Sequence, residues 1–424
     1  TNSLMSYIKN AVIKDLTIRG LEDGRVARLG GNITTVLSID YFESIFEPVF
    51  EFAIRFVSRE GVLSDIKLRG TESVSIEISH DTGVLEFDDL VLTSFVQEES
   101  GSTANIFSIR LSPKDLINNE KNRVNKRYDP TVNASTHVES ILKSHVRTEF
   151  ESDIEDTANS DGFFGNYWRP FRAIYWLARR SISKSMPEDG SGTDMVGFLF
   201  WMTKSGYKFK SIDTIMSGKK DSKKEFHQSE VVNPGEDNFN IHHPFFEYDQ
   251  NILNQMQNSM YGEKRKYFNT NTLDWGVPEL SLSGDEVKQA SLGDEDHKLK
   301  INHDINATPT QRSVVLVDDG TMNMDGVIPA KGEAQYDPHK VITQARMRYQ
   351  SLLSRSLRIT VPYNLTLEAG DVIKTSLIKS LSGNDEWLSG YYIIKDLRHG
   401  IHFTESGIQC LTHLRLVRDT PGDA

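Results

Sequence analysis

Two adjacent histidines, His242 and His243, stand before Pro244 and are the first place in the chain to look for a metal. Successive side chains of a strand point to opposite faces, so as a strand the pair cannot close on one ion and reads as structural. The acidic run 318–326, DDGTMNMDG, has the flavour of a calcium loop. An EF-hand alignment places Thr321 at the first ligand position and Gly332 at the twelfth, where a bidentate glutamate belongs, so a turn is the better reading. Serine, histidine and aspartate all occur, but no G-x-S-x-G elbow, H-E-x-x-H helix or G-x-x-x-x-G-K-[ST] phosphate loop brings them together. The acidic pairs Asp88-Asp89 and Glu98-Glu99 fall in strand ends or loops, and without their separation in space no glycosidase pair can be assigned. Trp168, Trp176 and Trp201 have faces on which bases or sugars stack, yet such residues more often fill cores, and core is the expectation. No catalytic, cofactor-binding or metal residue is assigned, and the chain is expected not to be an enzyme.

The elements that would position any such residues begin with size. A chain of 424 residues exceeds one ordinary core and implies two or more domains. Apolar residues at 38% and charged ones at 25% are globular proportions. No window holds eighteen apolar residues, so no membrane insertion is expected, and the start TNSLMSYIKN lacks the layout of a signal peptide. The single cysteine, Cys410, excludes an intrachain disulfide framework and fits folding in a reducing cytoplasm. A formal charge of −12 argues against a DNA-wrapping surface.

Strands dominate both ends. Residues 32–40 alternate, and Phe50, Phe52, Ile54 and Phe56 follow at strict period two after Pro48. Further strands are expected at 66–70, 74–79, 84–96 and 105–112. At the other end, Ile359 and Val361 alternate up to Pro362, which cannot donate to a ladder. Tyr391, Ile393 and Leu397 share a face with Lys395 as the odd member. Ile408, Cys410, Leu414 and Leu416 oppose Gln409, His413 and Arg415. The two ends also resemble each other. IKLRGTESV near residue 66 and LTLEAGDVI near 365 are both strand, glycine turn and strand, with Gly70 set against Gly370. Phe87-Asp-Asp-Leu90 leads to SIRLSPKD as Ile394-Lys-Asp-Leu397 leads to HLRLVRD, so a duplicated domain over 66–115 and 365–419 is expected.

The middle changes character. A short helix is expected after Ser112-Pro113 and another behind Ser135 as cap. The clearest helix is YWRPFRAIYWLARRS at 167–181, with Phe171, Ile174, Tyr175, Leu177 and Ala178 as its stripe. Residues 196–202 and 207–211 flank a hairpin turn. Residues 281–334 are polar and rich in Asp and Gly, with 313–318 the only convincing strand. A helix is expected from Asp337-Pro338, with Ile342, Ala345, Tyr349 and Leu352 on one face and Arg346, Arg348 and Arg355 off it.

The helix-hairpin order W-R-P-F-x-A-I-x-W-L-A, then F-L-F-W and S-G-Y-K-F-x-S-I-D, is similar to the core of one family. So are the SIFEP…VF loop at 44–50, the N-x-M-Y-G approach at 258–262 and the closing SGYYIIKDLRH and LRLVRD strands. That family is the baseplate central hub proteins of contractile-tailed phages, related in form to type VI secretion spike hubs. The resemblance implies a mixed β-barrel and α/β build, with two tube-like antiparallel β-barrel domains, a mixed α/β domain between them and an inserted polar excursion. It places the first barrel at 1–112, the mixed helix-hairpin domain at 113–235, and the second barrel at 236–278 and 336–419. The polar segment is 279–335 and a tail is 420–424. It further implies a homotrimer whose ring of six similar barrels joins a sixfold tail tube to a threefold spike trimer, among other baseplate proteins. DNA would pass the lumen without specific binding, in a virion tail baseplate assembled in the host cytoplasm. Candidate acids for that lumen are Glu72, Glu77 and Asp81 in the first barrel and Glu368, Asp371 and Asp385 in the second. Other readings are a tail-associated hydrolase and a carbohydrate-binding attachment protein.

Overall fold

The alternating run at 50–56 forms the strand around which the first half is laid down: Phe50, Phe52, Ile54 and Phe56 are each 0% exposed. The computed structural model describes residues 11–21, 25–30, 34–58, 68–100, 104–184, 195–221, 224–228, 239–242, 244–247, 252–270, 273, 275–277, 279–281, 291–292, 311–317, 338–379, 383–405 and 407–419. His243, the acidic run 318–326, Asp337, the tail 420–424 and most of the polar segment 279–335 lie outside the described residues.

The first half contributes β1 (Val12–Arg19), β2 (Val26–Arg28), β3 (Thr34–Ser44), β4 (Glu51–Ser58), β5 (Ser73–His80), β6 (Gly83–Ser100) and β7 (Asn105–Pro113). The middle holds β8 (Arg127–Tyr128), β9 (Ser152–Ile154), β10 (Phe163–Phe164), β11 (Phe198–Thr203), β12 (Gly206–Ser211), β13 (Glu225–His227) and β14 (Phe245–Glu247). After β15 (Gly262–Asn269), β16 (Trp275–Gly276), β17 (Glu279–Ser281) and β18 (Gln311–Val317), the closing half adds β19 (Arg355–Pro362) and β20 (Val372–Ser376). The small β21 (Ile378–Lys379) and β22 (Gly383–Asn384) pair with each other, before β23 (Gly390–Thr404) and β24 (Gly407–Arg418). The fold is mostly antiparallel, and a single 13-stranded sheet runs β14-β19-β24-β23-β3-β4-β7-β6-β5-β1-β2, with β20 on β23 and β13 on β20.

Between the halves, β11 and β12 form the expected hairpin, and β9 adds to β12 in parallel. The helix Pro170–Ala178 buries Phe171, Ile174, Leu177 and Ala178, with Pro170 in its first turn, where the missing N–H costs nothing. Two caps differ from expectation. Pro113 occupies the cap position of Lys114–Lys121 in place of Ser112, and Asn133 that of Ala134–Ile141 in place of Ser135, neither with a side-chain cap bond. Ser135 accepts the Thr157 N–H instead, because its hydroxyl faces the segment that follows β9. Trp201 is buried in one apolar cluster, and Trp168 and Trp176 pack partly buried against another, so all three are core aromatics.

β15 was expected to lead into the second barrel. It pairs instead with β16, β17 and β18 in a separate four-stranded sheet, parallel to β18. The helix Pro338–Leu352 packs near it, with Val341, Ala345 and Leu352 buried. Arg348 does not lie off the buried face as the spacing suggested. Its side chain is 1% exposed, held 2.6 Å from Asp213 and 3.7 Å from Asp419.

Candidate assembly interface

The two halves of the sheet repeat one pattern, strand by strand. β4-β7-β6-β5 in the first corresponds to β19-β24-β23-β20 in the second. Leu92 opposes Leu111 as Ile394 opposes Leu416, and one bulged residue follows in each, Thr93 and Lys395. Beyond the bulge, Ser94 opposes Arg110 as Asp396 opposes Arg415, and Phe95 opposes Ile109 as Leu397 opposes Leu414. SIRL at 108–111 therefore matches HLRL at 413–416 in the expected register. The partner match is Leu92 to Phe95 against Ile394 to Leu397, five residues beyond the one expected from Phe87. Lys395 was the odd member of its face because it is the bulge, which lets the flanking residues keep their burial.

The turns before β5 and β20 are equivalent too, one residue out of the expected glycine register. Thr71 N–H bonds Leu92 C=O as Gly370 N–H bonds Ile394 C=O, each at 2.8 Å. Both have positive φ, 70° and 94°. Gly370 has a second reason to be glycine: an added Cβ would sit 2.6 Å from Trp201 Cζ2, while the Trp201 indole N–H donates to Ala369 C=O. In each turn the next acid accepts backbone N–H groups, Glu72 from Arg69 and Gly70, and Asp371 from Glu368.

The halves meet where β3 pairs with β23, antiparallel, from Ser44 opposite Asp396 to Ser38 opposite His402. On one face Arg398 reaches Asp40 at 2.8 Å and stacks over Phe42. On the other, Tyr41 lies parallel to His399 with ring centroids 6.0 Å apart. Tyr41 O–H donates to Glu43 Oε1 at 2.6 Å; the Lys204 and Ala369 N–H groups donate to the same carboxyl, each at 2.8 Å. Glu43 thus ties the first half to the middle hairpin and to the closing half. Its burial raises its pKa to about 7, against the pull of its three donors. Burial lowers His399 to about 3, so the ring is neutral. Nothing in the alternation of residues 34–44 pointed to Glu43, since its donors come from two distant turns.

Beside the joint lies an open groove of about 940 Å³, lined in part by Phe42, Glu47, Glu51, Phe245, Arg358 and Asp396. Arg110 pairs with Glu51 at 3.1 Å, and Asp396 accepts from Ser44 and faces Lys395 at 3.3 Å. Glu47 is held above the usual carboxylate range by burial and by Asp396 and Glu51.

The acids expected at a lumen are mostly engaged locally. Glu72 is 1% exposed and binds its own turn, so it faces no channel within this chain. Glu77 pairs with Lys14, Glu368 accepts from Thr203 and Ser205, Asp371 meets Lys224, and Asp385 accepts from Trp387 and Leu388. Asp81 is exposed at the β5–β6 turn. Asp88 and Asp89 fall within β6 rather than at a strand end, Asp89 taking the Ser73 hydroxyl and Lys114; Glu98 is spent on Arg55. His242 lies just before β14. Among the described residues no cluster of three metal-ligating side chains occurs, and no helix is long and apolar enough to cross a membrane.

No protein-family model matches the sequence, and no curated protein does. Solved structures do. A tail protein from Neisseria meningitidis MC58 matches with a TM-score of 0.56 at 12% identity, over 96% of each chain. The 43 kDa tail protein of prophage MuSo2 from Shewanella oneidensis matches at 0.51 and 8% identity, over 96% of this chain and 98% of that one. This is the fold of phage tail proteins. A type VI secretion system component from E. coli is also similar, at a TM-score of 0.48 and 11% identity over 96% of this chain and 77% of its own.

Proposed function

We propose that the chain is a structural hub of a contractile-tail baseplate, a homotrimer in which each copy supplies two equivalent β-domains to a ring of six. Such a ring joins a sixfold tail tube on one side to a threefold spike on the other and surrounds the DNA passage. The observation that carries this reading is the duplication: two ladders of one strand order, with the same bulge and the same turn bonding. A chain with one such ladder matches a sixfold partner only as six copies; a chain with two does so as three. No reaction is needed, since assembly is the mechanism. A net charge of −12 supports passage without gripping, because duplex DNA binds mainly through phosphate neutralisation by Lys and Arg.

Light scattering on the purified chain tests this: the reading expects three chain masses, and a strict monomer at every concentration contradicts it. The hydrolase reading has one observation in its favour, the raised carboxyl of Glu47 in the open groove. The hub reading expects no turnover of peptidoglycan or polysaccharide. Turnover abolished by Glu47→Gln would establish an enzyme instead.

A further inference from the structure

The joint inside the chain has a counterpart that no two described strands make. β23 carries β24 on one edge and β3 on the other, along Asp396 to His402. Its equivalent, β6, carries β7 on one edge, but no described strand pairs with the other edge beyond Leu92. In the same way β3 is paired on both edges, whereas its equivalent β14 carries β19 on one side and, among the described strands, none on the other. The equivalence of β14 and β3 follows from their partners. Phe246 opposes Leu357 as Tyr41 opposes Phe52, and β19 stands to β24 as β4 stands to β7.

An open edge of this length is normally blunted or covered, because its N–H and C=O groups template another strand. Burial shows what is missing. Leu397 is 1% exposed under β3, while Phe95, its equivalent, is 38% exposed. At the joint, Arg398 and Asp40 sit diagonally across the two strands and form an ion pair. Their equivalents are Val96 and Phe245, which are 52% and 62% exposed. Two apolar side chains, one on each open edge, thus stand where the internal joint places a complementary pair.

We infer that the open edge of β6 in one copy takes the open edge of β14 in a second copy, antiparallel, with Val96 opposite Glu247 and Gln97 opposite Phe246. This deepens the hub reading and rests on it for closure. The edges differ, so contact is head to tail, and three copies close when the seam between chains repeats the rotation of the joint within one. Backbone bonds supply register and the Val96–Phe245 contact supplies apolar burial, as in other strand-addition interfaces.

The test is Phe245→Asp in the full chain, alone and with Val96→Arg, read by light scattering across a dilution series and by thermal melting. Both sites are exposed, so the single variant is expected to keep the fold. The single change should weaken association on the order of 100-fold, as loss of a central aromatic contact does. The double variant copies the Arg398–Asp40 pair and should restore association. A Phe245→Asp chain that assembles like the unchanged protein overturns the seam and leaves the trimeric hub standing. A chain that never associates, unchanged or not, overturns both. Weakening without recovery in the double variant also counts against this register.

Discussion

Arg348→Ala should cost about 3–5 kcal/mol, the range for breaking a buried ion pair by removing one partner. The guanidinium lies between Asp213 on the helix Ile212–Ser217 and Asp419 at the end of the sheet, and all three side chains are nearly excluded from water. Asp419 also accepts the Leu292 N–H. Truncating the arginine strips the cation from two carboxylates that cannot reach solvent, and a carboxylate in that position either pays desolvation or takes up a proton. Chemical denaturation at neutral pH measures the loss. The double variant Arg348→Met, Asp213→Asn should recover part of it, because it removes charge on both sides. A single-variant loss under about 1 kcal/mol would mean the pair is solvated rather than buried.

The second large effect is a pH profile with two opposing limbs. Glu43 has a folded pKa of about 7, above the ordinary 4.5 of its unfolded state. Between those values the folded chain holds more protons than the unfolded one, so this contribution to stability is full at low pH and is lost as pH rises through 7. It amounts to about 3 kcal/mol by linkage. His399, at about 3 against an ordinary 6.5, acts in the opposite sense. Its unfolded state takes the proton first, so about 5 kcal/mol is present above pH 6.5 and is lost as pH falls toward 3. Between about pH 4.5 and 6.5 the two largely cancel. Below about 4.5 only the histidine limb remains, and stability should fall steeply. In His399→Gln the histidine limb is gone, so stability should rise as pH drops from 7 to 4.5. A His399→Gln profile that is flat over that range would show that Glu43 titrates normally.

The strands were legible because burial on one face writes a period of two. Phe50 to Phe56, Ile359 with Val361, and Leu414 with Leu416 all face the core as their spacing requires. The rule fails at the ends and at bulges. Ile408 is 38% exposed although it keeps the period of Cys410, because the strand runs past its cover there. One extra residue at Thr93 or Lys395 changes the phase of the alternation, and no local signal marks it. The buried charges were beyond sequence reading for a different reason. Arg348 looks like a solvated helix position until Asp213, 135 residues away, is folded against it. Glu43 looks like a strand-edge acid until turns from the middle and the closing half bring their N–H groups to it. The duplication was legible in SIRL and HLRL, where two arginines are bracketed by paired apolar residues, and misread at Phe87, where similar letters fall outside the bulge.

In the proposed hub the two halves of one chain occupy equivalent places in a ring. Electron microscopy of the assembled protein, viewed down its axis, tests this most directly. The expected result is a ring of six similar lobes with exact threefold symmetry, in which the β3–β23 joint within a chain alternates with a β6–β14 joint between chains. A ring in which the halves lie at different radii, or particles with no ring at all, would contradict it.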